Sequence, residues 1–498
     1  MSNMDLSILS EEQQYAYRMF SRKENMFITG AGGTGKTRLI EYLVKRCKSM
    51  GSNYQVCAMT GCAALLLPKI CNARTLHSWS GIRLCKGDPT NIVELALKNK
   101  RTRATWRKTE VLIVDEVSMM SVKVIEVLNI IAKTARVNQK PFGGMQVVFV
   151  GDFYQLPPVG TNGDADTDKF CFESDIWSTL IPKMNHIELK TIFRQTDPKY
   201  REILLQIRKS ELSDDNAEIL RKCLHRDFDS EQHNGCVPTK LYPTRAKTEQ
   251  LNATMFSKLT GNIKSFACDK KSNCSTYLES NKPLSPNDSV KCKSLHPAVV
   301  EYETQQLMST SSYTDIMYLK VGAVVMCTVN LDMENGICNG SQGVVSRFVK
   351  NDLGKYIPEV TFSNGITKII EPYFKQSDEY PTVAVGQIPL CLAWALTIHK
   401  IQGATLTMAD IDVGSQIFEC GQTYVALSRV KSMDGLYLSA FSPDRIRANE
   451  TVSEFYRSLP NIDMTIMDTT DANIFSSFEL KEEQYDEKSD PNIKRILI

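Results

Sequence analysis

Met26-Phe27-Ile28-Thr29-Gly30-Ala31-Gly32-Gly33-Thr34-Gly35-Lys36-Thr37 is the stretch that decides the fold. A short apolar run, Met26–Thr29, enters a glycine-rich turn. A segment with apolar residues at three- and four-residue spacing, Arg38–Met50, leaves it. A strand that ends in Gly-x-x-x-x-Gly-Lys-Thr and feeds a helix is a phosphate-binding loop. Gly30, Gly32, Gly33, Thr34 and Gly35 let backbone N–H groups wrap a β-phosphate, and the helix N-terminus adds a favourable dipole. Lys36 is placed to reach the β- and γ-phosphates, and Thr37 to ligate Mg²⁺. ATP and Mg²⁺ are the cofactors this pattern implies.

Two further strand ends support the same site. Val111-Leu112-Ile113-Val114 runs into Asp115-Glu116. Carboxylates at a strand's carboxyl end face the ligand crevice of an open αβ sheet. Asp115 suits Mg²⁺, and Glu116 suits a base that deprotonates the attacking water. Val147–Val150 then delivers Gly151-Asp152-Phe153-Tyr154-Gln155-Leu156-Pro157-Pro158. Gln155 can bond both a γ-phosphate and a water.

Short apolar runs alternate with helical stretches from Met26 to His186, Val122–Ala135 being the clearest helix after Arg38–Met50. That pattern predicts an α/β fold with a parallel sheet covered on both faces. A second αβ pattern occupies 187–259 and resumes over 390–441. Between them, 262–312 is rich in Ser, Lys and Asn and reads as an extended or partly mobile insertion. Residues 343–387 alternate apolar and polar with turn signals such as Ser363-Asn364-Gly365, which reads as a small β module. After Ser458 the chain turns polar and acidic, as a loosely held tail would.

Bulk properties exclude several classes. The 498 residues carry 59 basic and 57 acidic side chains, a net charge of +2. Binding a polyanion by bulk charge is excluded, although a local basic stripe is not. No apolar run approaches the roughly 20 residues that span a bilayer. The N-terminus, with Asp5, Glu11 and Glu12, fits neither a secretory signal nor an Arg-rich transit peptide. Fifteen cysteines without a Cys-x-x-Cys pair read as reduced thiols of an intracellular protein, nucleus or cytoplasm unresolved. Cys223-x-His225 followed by His233-x-x-Cys236 offers four ligands of zinc type. The first pair is tight for a finger, and an ordinary loop is the alternative.

A set of motifs in order resembles the Pif-type (petite integration frequency) helicases of superfamily one, relatives of the RecD-type enzymes. The resemblance runs from Leu9 to Phe441. Leu9-Ser10-Glu11-Glu12-Gln13 resembles the adenine-reading motif, with Gln13 on the base edge. Met59-Thr60-Gly61-Cys62-Ala63-Ala64 and Thr75-Leu76-His77-Ser78 resemble two strand-contacting motifs. Leu189-x-x-x-Phe193-Arg194-Gln195 resembles motif IV. Trp394-Ala395-Leu396-Thr397-Ile398-His399-Lys400-Ile401-Gln402-Gly403-Ala404-Thr405-Leu406 resembles motif V, and Tyr424-Val425-Ala426-Leu427-Ser428-Arg429 motif VI.

The resemblance implies two RecA-like motor domains, 1–75 with 109–185 and 186–342 with 388–458. It implies a wedge at 76–108, an SH3-like barrel at 343–387 and a tail at 459–498. It also implies Gly403 at the nucleotide, and Thr60, Gly61, His77, Thr397, His399, Lys400 and Thr405 on nucleic acid.

Residue chemistry is compatible with these roles without deciding them. The first half supplies Lys36 but no second cation for the phosphoryl group, whereas Arg194 and Arg429 would complete the site if both entered a cleft between the units. Structural ion pairs are the alternative. His77 and His399 each sit among hydroxyls, which suits phosphate and sugar contacts, although a lone His is more often structural. Lys98, Lys100, Arg101, Arg103, Arg107 and Lys108 with Trp106 read as a strand-binding stripe or a solvated loop. One departure is Arg245, where the family usually has Asn.

The expectation is a monomeric ATP-dependent DNA helicase moving 5′ to 3′ on single-stranded DNA and opening duplexes or forks, with no membrane and no obligate protein partner. An RNA helicase, an ATP-regulated clamp and a RecD-like subunit of a nuclease complex are the rivals.

Overall fold

The computed structural model describes residues 6–228, 237–278, 281–292, 295–311, 313–332, 335–337, 339–351, 354–377 and 380–460. The first sheet contains β1 (Met26–Gly30), β2 (Tyr54–Ala58), β3 (Arg74–Thr75), β4 (Val111–Asp115), β5 (Gln146–Val150) and β6 (His186–Leu189). Its order is β3-β2-β4-β5-β1-β6, with every pairing parallel. β1 and β4 are buried at every position, as a parallel sheet covered on both faces requires. One face packs on Leu39, Leu43 and Val44 of α2 (Lys36–Ser49), the other on Leu128, Ile131 and Trp177. β5 lies between β1 and β4. The phosphate loop and the acid pair therefore flank the segment that begins at Gly151.

The second sheet is also parallel, with strand order Ala395–Thr397, Thr239–Tyr242, Ala409–Val413, Leu436–Phe441. The division between the units differs from the sequence expectation at both ends. β6 was placed in the second unit from residue 186, yet it pairs with β1 and closes the first sheet. The helix Glu450–Arg457 was placed there too, but its Val452, Phe455 and Tyr456 pack into the first unit's core. Alternation of elements shows where a unit begins in sequence but not which sheet edge a strand joins.

The described residues of 262–312 carry strands and two helices. Lys264–Ala267 pairs with Ile316–Leu319, and a helix covers Pro297–Ser311. A small apolar cluster of Cys268, Leu307, Tyr313, Val383 and Val385 holds this region. Its few apolar residues are dispersed in a polar background, which hid the core.

The β module is correspondingly wider than 343–387. A five-stranded antiparallel sheet runs Thr367–Ile369, Tyr356–Phe362, Gln342–Lys350, Val324–Cys327, Leu390–Leu392. A second sheet joins Tyr373–Gln376, Ala384–Gln387 and Asp269–Lys271.

Residues 76–108 form three helices, Leu76–Ser80, Pro89–Lys98 and Lys100–Lys108. Trp106 is fully buried there, 4.4 Å from the Trp79 ring, and its Nε1–H donates to the Ser80 carbonyl at 3.1 Å. It is a core residue, and the reading of Trp106 as a stacking platform is corrected. Lys98, Lys100, Arg107 and Lys108 remain exposed around it.

His233, Cys236 and the tail from residue 461 lie outside the described residues. Among the described residues no cluster of His, Cys, Asp and Glu could hold a metal by itself, and no helix is long and apolar enough to cross a membrane.

A candidate nucleotide site between the two units

The phosphate loop folds as its glycines demand. Gly33 and Gly35 have φ of 90° and 80°, a region that a side chain resists. A Cβ on Gly33 would lie 2.5 Å from the Cβ of Arg194. The loop is thus a contact between units as well as a cradle. Thr34 is buried, and its Oγ1 donates to the Ala31 carbonyl at 2.9 Å. Lys36 Nζ donates to the Gly30 and Ala31 carbonyls at 2.7 and 3.0 Å. Burial lowers the pKa of this ammonium, against the pull of Asp152, Glu116 and Asp115. Thr37 is exposed at the loop's end.

Gln13 caps its own helix and supports the loop. Its Oε1 accepts from the Ser10 N–H at 3.1 Å, and its Nε2 donates to the Thr34 carbonyl at 3.1 Å. Phe193 is 52% exposed beside Gly35, close enough that a Cβ there would touch its ring at 3.5 Å. An exposed ring against the loop offers a face to a base, and the sequence reading assigned it no role.

Asp115 and Glu116 are both nearly buried. Glu116 adopts a left-handed backbone, φ 54° and ψ 43°, and its N–H donates to Asp115 Oδ1 at 2.9 Å. Burial, with Glu116 adding to it, pushes the Asp115 carboxyl up to about 7. A buried acid pair of this kind is short of positive charge. Gln402 of the second unit donates from Nε2 to Glu116 Oε2 at 3.1 Å. Gly403 follows it, and a Cβ there would lie 3.6 Å from Glu116 Oε1 and 2.7 Å from Leu66. Gln155 is buried, and its Oε1 has no hydrogen-bond partner.

Both arginines enter the cleft. Arg194 Nη1 donates to the Ser428 carbonyl at 3.1 Å. Arg429 is buried, bonding the Val425 carbonyl at 2.8 Å and Ser428 Oγ at 2.8 Å. Burial, then the charge of Arg429, holds Arg194 down at about 9; Arg429 is lowered by burial. A Cβ on Gly32 would stand 3.6 Å from Arg429 Nη2, and the Gly32 N–H donates to the Tyr424 hydroxyl at 2.7 Å. Tyr424 thus docks the Arg429 segment on the phosphate loop. No residue spacing pointed to that contact, nor to Gln402 on Glu116.

The nucleic-acid candidates fall into two groups. Thr60 and Thr397 are the N-caps of short helical turns, accepting from the N–H groups of Ala63 and Lys400 at 3.1 and 3.3 Å. Their turns approach each other: Gly403 contacts Leu66 of the Gly61–Leu66 helix, and the Cys391 thiol senses both Lys400 and Cys62. Lys400 is exposed, Gly61 and Thr405 half-buried. His399 lies 6.3 Å from the Phe418 ring at 19°, and Phe418 is 60% exposed. His77 leaves the same carboxyl edge beyond β3, with no described contact to the others. Burial lowers the pKa of both histidines.

Residues 8–218 match the family model described as PIF1-like helicase, and 313–348 match DNA helicase Pif1, 2B domain. The latter match starts upstream of 343, in line with the wider β module. The chain is 32% identical over 502 residues to the ATP-dependent DNA helicase RRM3 of Saccharomyces cerevisiae, covering 91% of this chain and 68% of that protein. It is 31% identical to human ATP-dependent DNA helicase PIF1, spanning 64% of its length. A crystal structure of Pif1 helicase from Candida albicans superposes with a TM-score of 0.70 at 33% identity, covering 91% of this chain and all of that one. A Bacteroides Pif1 in complex with ADP-AlF3 and single-stranded DNA gives 0.60 at 28%, covering 92% and 97%. A phosphate loop, an acid pair and two cleft arginines held in one site, together with these matches, show that the chain belongs to the PIF1-like helicase family.

Proposed function

We propose that this protein is an ATP-dependent DNA helicase that acts as a monomer, translocating 5′ to 3′ on single-stranded DNA and opening duplexes or forks. The observation that carries the reading is the hydrogen bond from Gln402 to Glu116. The base expected to activate water is held by the unit that must move. Hydrolysis and cleft closure are then one event, which is what a motor needs.

In this reading Lys36, Arg194 and Arg429 stabilise the charge of the transferring phosphoryl group, and Gln155 aligns the water that Glu116 deprotonates. Gly30, Gly32, Gly33, Thr34 and Gly35 cradle the phosphates, and Gln13 and Phe193 sit at the base end. Thr37 and Asp115 would hold Mg²⁺. The buried carboxyl of Asp115, its pKa raised by burial beside Glu116, fits a divalent cation, and a site with so few protein ligands suits Mg²⁺ completed by phosphate and water. Bound there, Mg²⁺ would neutralise charge on the phosphate oxygens. Thr60, Gly61, His77, Thr397, His399, Lys400 and Thr405 contact the strand's backbone across the cleft.

Glu116→Gln tests the chemistry. It keeps ATP binding and abolishes turnover; near-normal turnover rejects Glu116 as the base. Two forks with loading tails of opposite polarity test the motor, and unwinding only from the 3′ tail rejects the direction. ATPase stimulated by RNA alone rejects DNA as the substrate.

A further inference from the structure

The helix Glu450–Arg457 lies beyond every motif residue of the ATP site, yet it reaches that site's framework. Phe455 stacks on Phe172 at 4.3 Å and meets Phe153 edge-on at 5.5 Å. These contacts seat the neighbouring Tyr456. Its ring stacks on Tyr154 at 4.7 Å and 16°, and the Arg208 guanidinium lies 5.2 Å from it.

The hydroxyl of Tyr456 stands between two strand ends. It is 2.6 Å from Thr29 Oγ1, accepts the Phe153 N–H at 3.1 Å, and lies 3.4 Å from Asp152 Oδ1. A phenol can fill all three contacts: it accepts from Phe153 and Thr29 and donates to the carboxylate. Thr29 immediately precedes Gly30 of the phosphate loop, and Phe153 stands two residues before Gln155. Gln155 Oε1 is among the buried acceptors left without a partner, so its position depends on the segment that Tyr456 holds.

We propose that Tyr456 is a positioning residue for ATP hydrolysis, its hydroxyl fixing the phosphate loop and Gln155 relative to each other. The proposal rests on the ATPase reading of the site. Tyr456 acts through Thr29 and Phe153 and does not itself meet the nucleotide. The ring alone satisfies the packing, whereas the hydroxyl serves the site. The C-terminal helix is therefore part of the catalytic unit.

The test uses the full chain with a saturating oligothymidylate and compares wild type, Tyr456→Phe and Thr29→Val. Tyr456→Phe should fold with a melting temperature lowered by only a few degrees and keep the affinity for a fluorescent ATP analogue while kcat falls about tenfold. Thr29→Val, which removes the partner hydroxyl, should do the same. Gln155→Ala combined with Tyr456→Phe should be less slow than the product of the two single effects, because part of the hydroxyl's effect runs through that residue. A kcat within about twofold of wild type in Tyr456→Phe overturns the proposal, as does full additivity with Gln155→Ala. Should Tyr456→Phe fail to fold, an unchanged kcat in Thr29→Val overturns it. A wild-type chain without ATPase activity defeats the reading of the site instead.

Discussion

Arg208 grips the Asp152 carboxylate from Nε and Nη2, with N–O distances of 2.9 to 3.2 Å, and both side chains are almost wholly buried. Asp152 lies two residues beyond the end of strand β5 of the first unit. Arg208 lies on the helix Pro198–Lys209, downstream of the chain's crossing from the first sheet. Asp152 and Tyr456 raise the pKa of this guanidinium against its burial, so the charge persists. The pair joins the segment that carries Gln155 to the segment that follows Arg194.

Removing Arg208 strands the buried Asp152 carboxylate, and removing Asp152 leaves the buried guanidinium only the longer, half-exposed pairing with Glu188 at 3.5 Å. Asp152→Asn or Arg208→Met should each cost about 3–5 kcal/mol of stability. The double variant Asp152→Asn/Arg208→Met should cost less than the sum, because no charge is stranded. Thermal unfolding of the four proteins measures the coupling, and strict additivity would show that the pair makes no cooperative contribution.

A second contact sets how closely the units meet. Gly421 has φ of 72°, and a Cβ there would lie 2.3 Å from the Tyr154 carbonyl and 2.7 Å from that of Gln155. Both neighbours are backbone, so they yield little. Gly421→Ala should push the motif VI helix, Gln422–Leu427, away from the Tyr154-Gln155 segment and withdraw Arg429. We expect kcat to fall by at least about tenfold while ssDNA binding without nucleotide is retained. Steady-state ATPase and anisotropy on the same preparations separate the two effects, and an unchanged kcat rejects the contact as functionally important.

What the sequence made legible follows from where the information lies. Gly30–Thr37 and Asp115-Glu116 could be read because local spacing encodes a strand, a turn and a helix. The αβ alternation likewise encoded both parallel sheets. Trp106 misled because a basic run conceals the one side chain that a helix turns inward against Trp79. Residues 262–312 misled because their cluster is completed by Val383 and Val385, far along the chain. Gln402, Tyr424, Arg208 and Tyr456 act across more than two hundred residues or between units, and no local pattern carries such contacts.

The two histidines give a pH test. Burial lowers the pKa of His77 and His399 in the folded protein, so their neutral forms stabilise it. That contribution is present above the ordinary histidine range, and it is lost as pH falls through that range to the lowered values. A DNA phosphate beside either ring would favour the imidazolium and raise its pKa. Binding of ssDNA should therefore take up protons at mildly acidic pH and be nearly proton-neutral at pH about 8. Calorimetry in buffers of different ionisation enthalpy counts those protons. An uptake that is unchanged in His77→Gln and His399→Gln would place both rings away from the strand.

The loop between the first two helices of the 76–108 segment gives the last test. Leu84 is 76% exposed while Ile82 and Cys85 on either side are buried. Arg83 and Cys85 hold positive φ of 53° and 52°, a conformation that costs a side-chain-bearing residue about 1–3 kcal/mol. The loop is fixed where it ends: Gly87 donates its N–H to Asp164 and accepts from Lys123 through its carbonyl. A strained loop with anchored flanks and one apolar tip is built to present that tip. If 76–108 is the wedge, Leu84 meets the base pair at the fork. Leu84→Ser should then slow unwinding several-fold and leave ssDNA-stimulated ATPase untouched. Rates measured on forked and on single-stranded substrates decide the matter. An equal loss in both would mean that the loop supports the motor itself, and no loss in either would place strand separation elsewhere on the molecule.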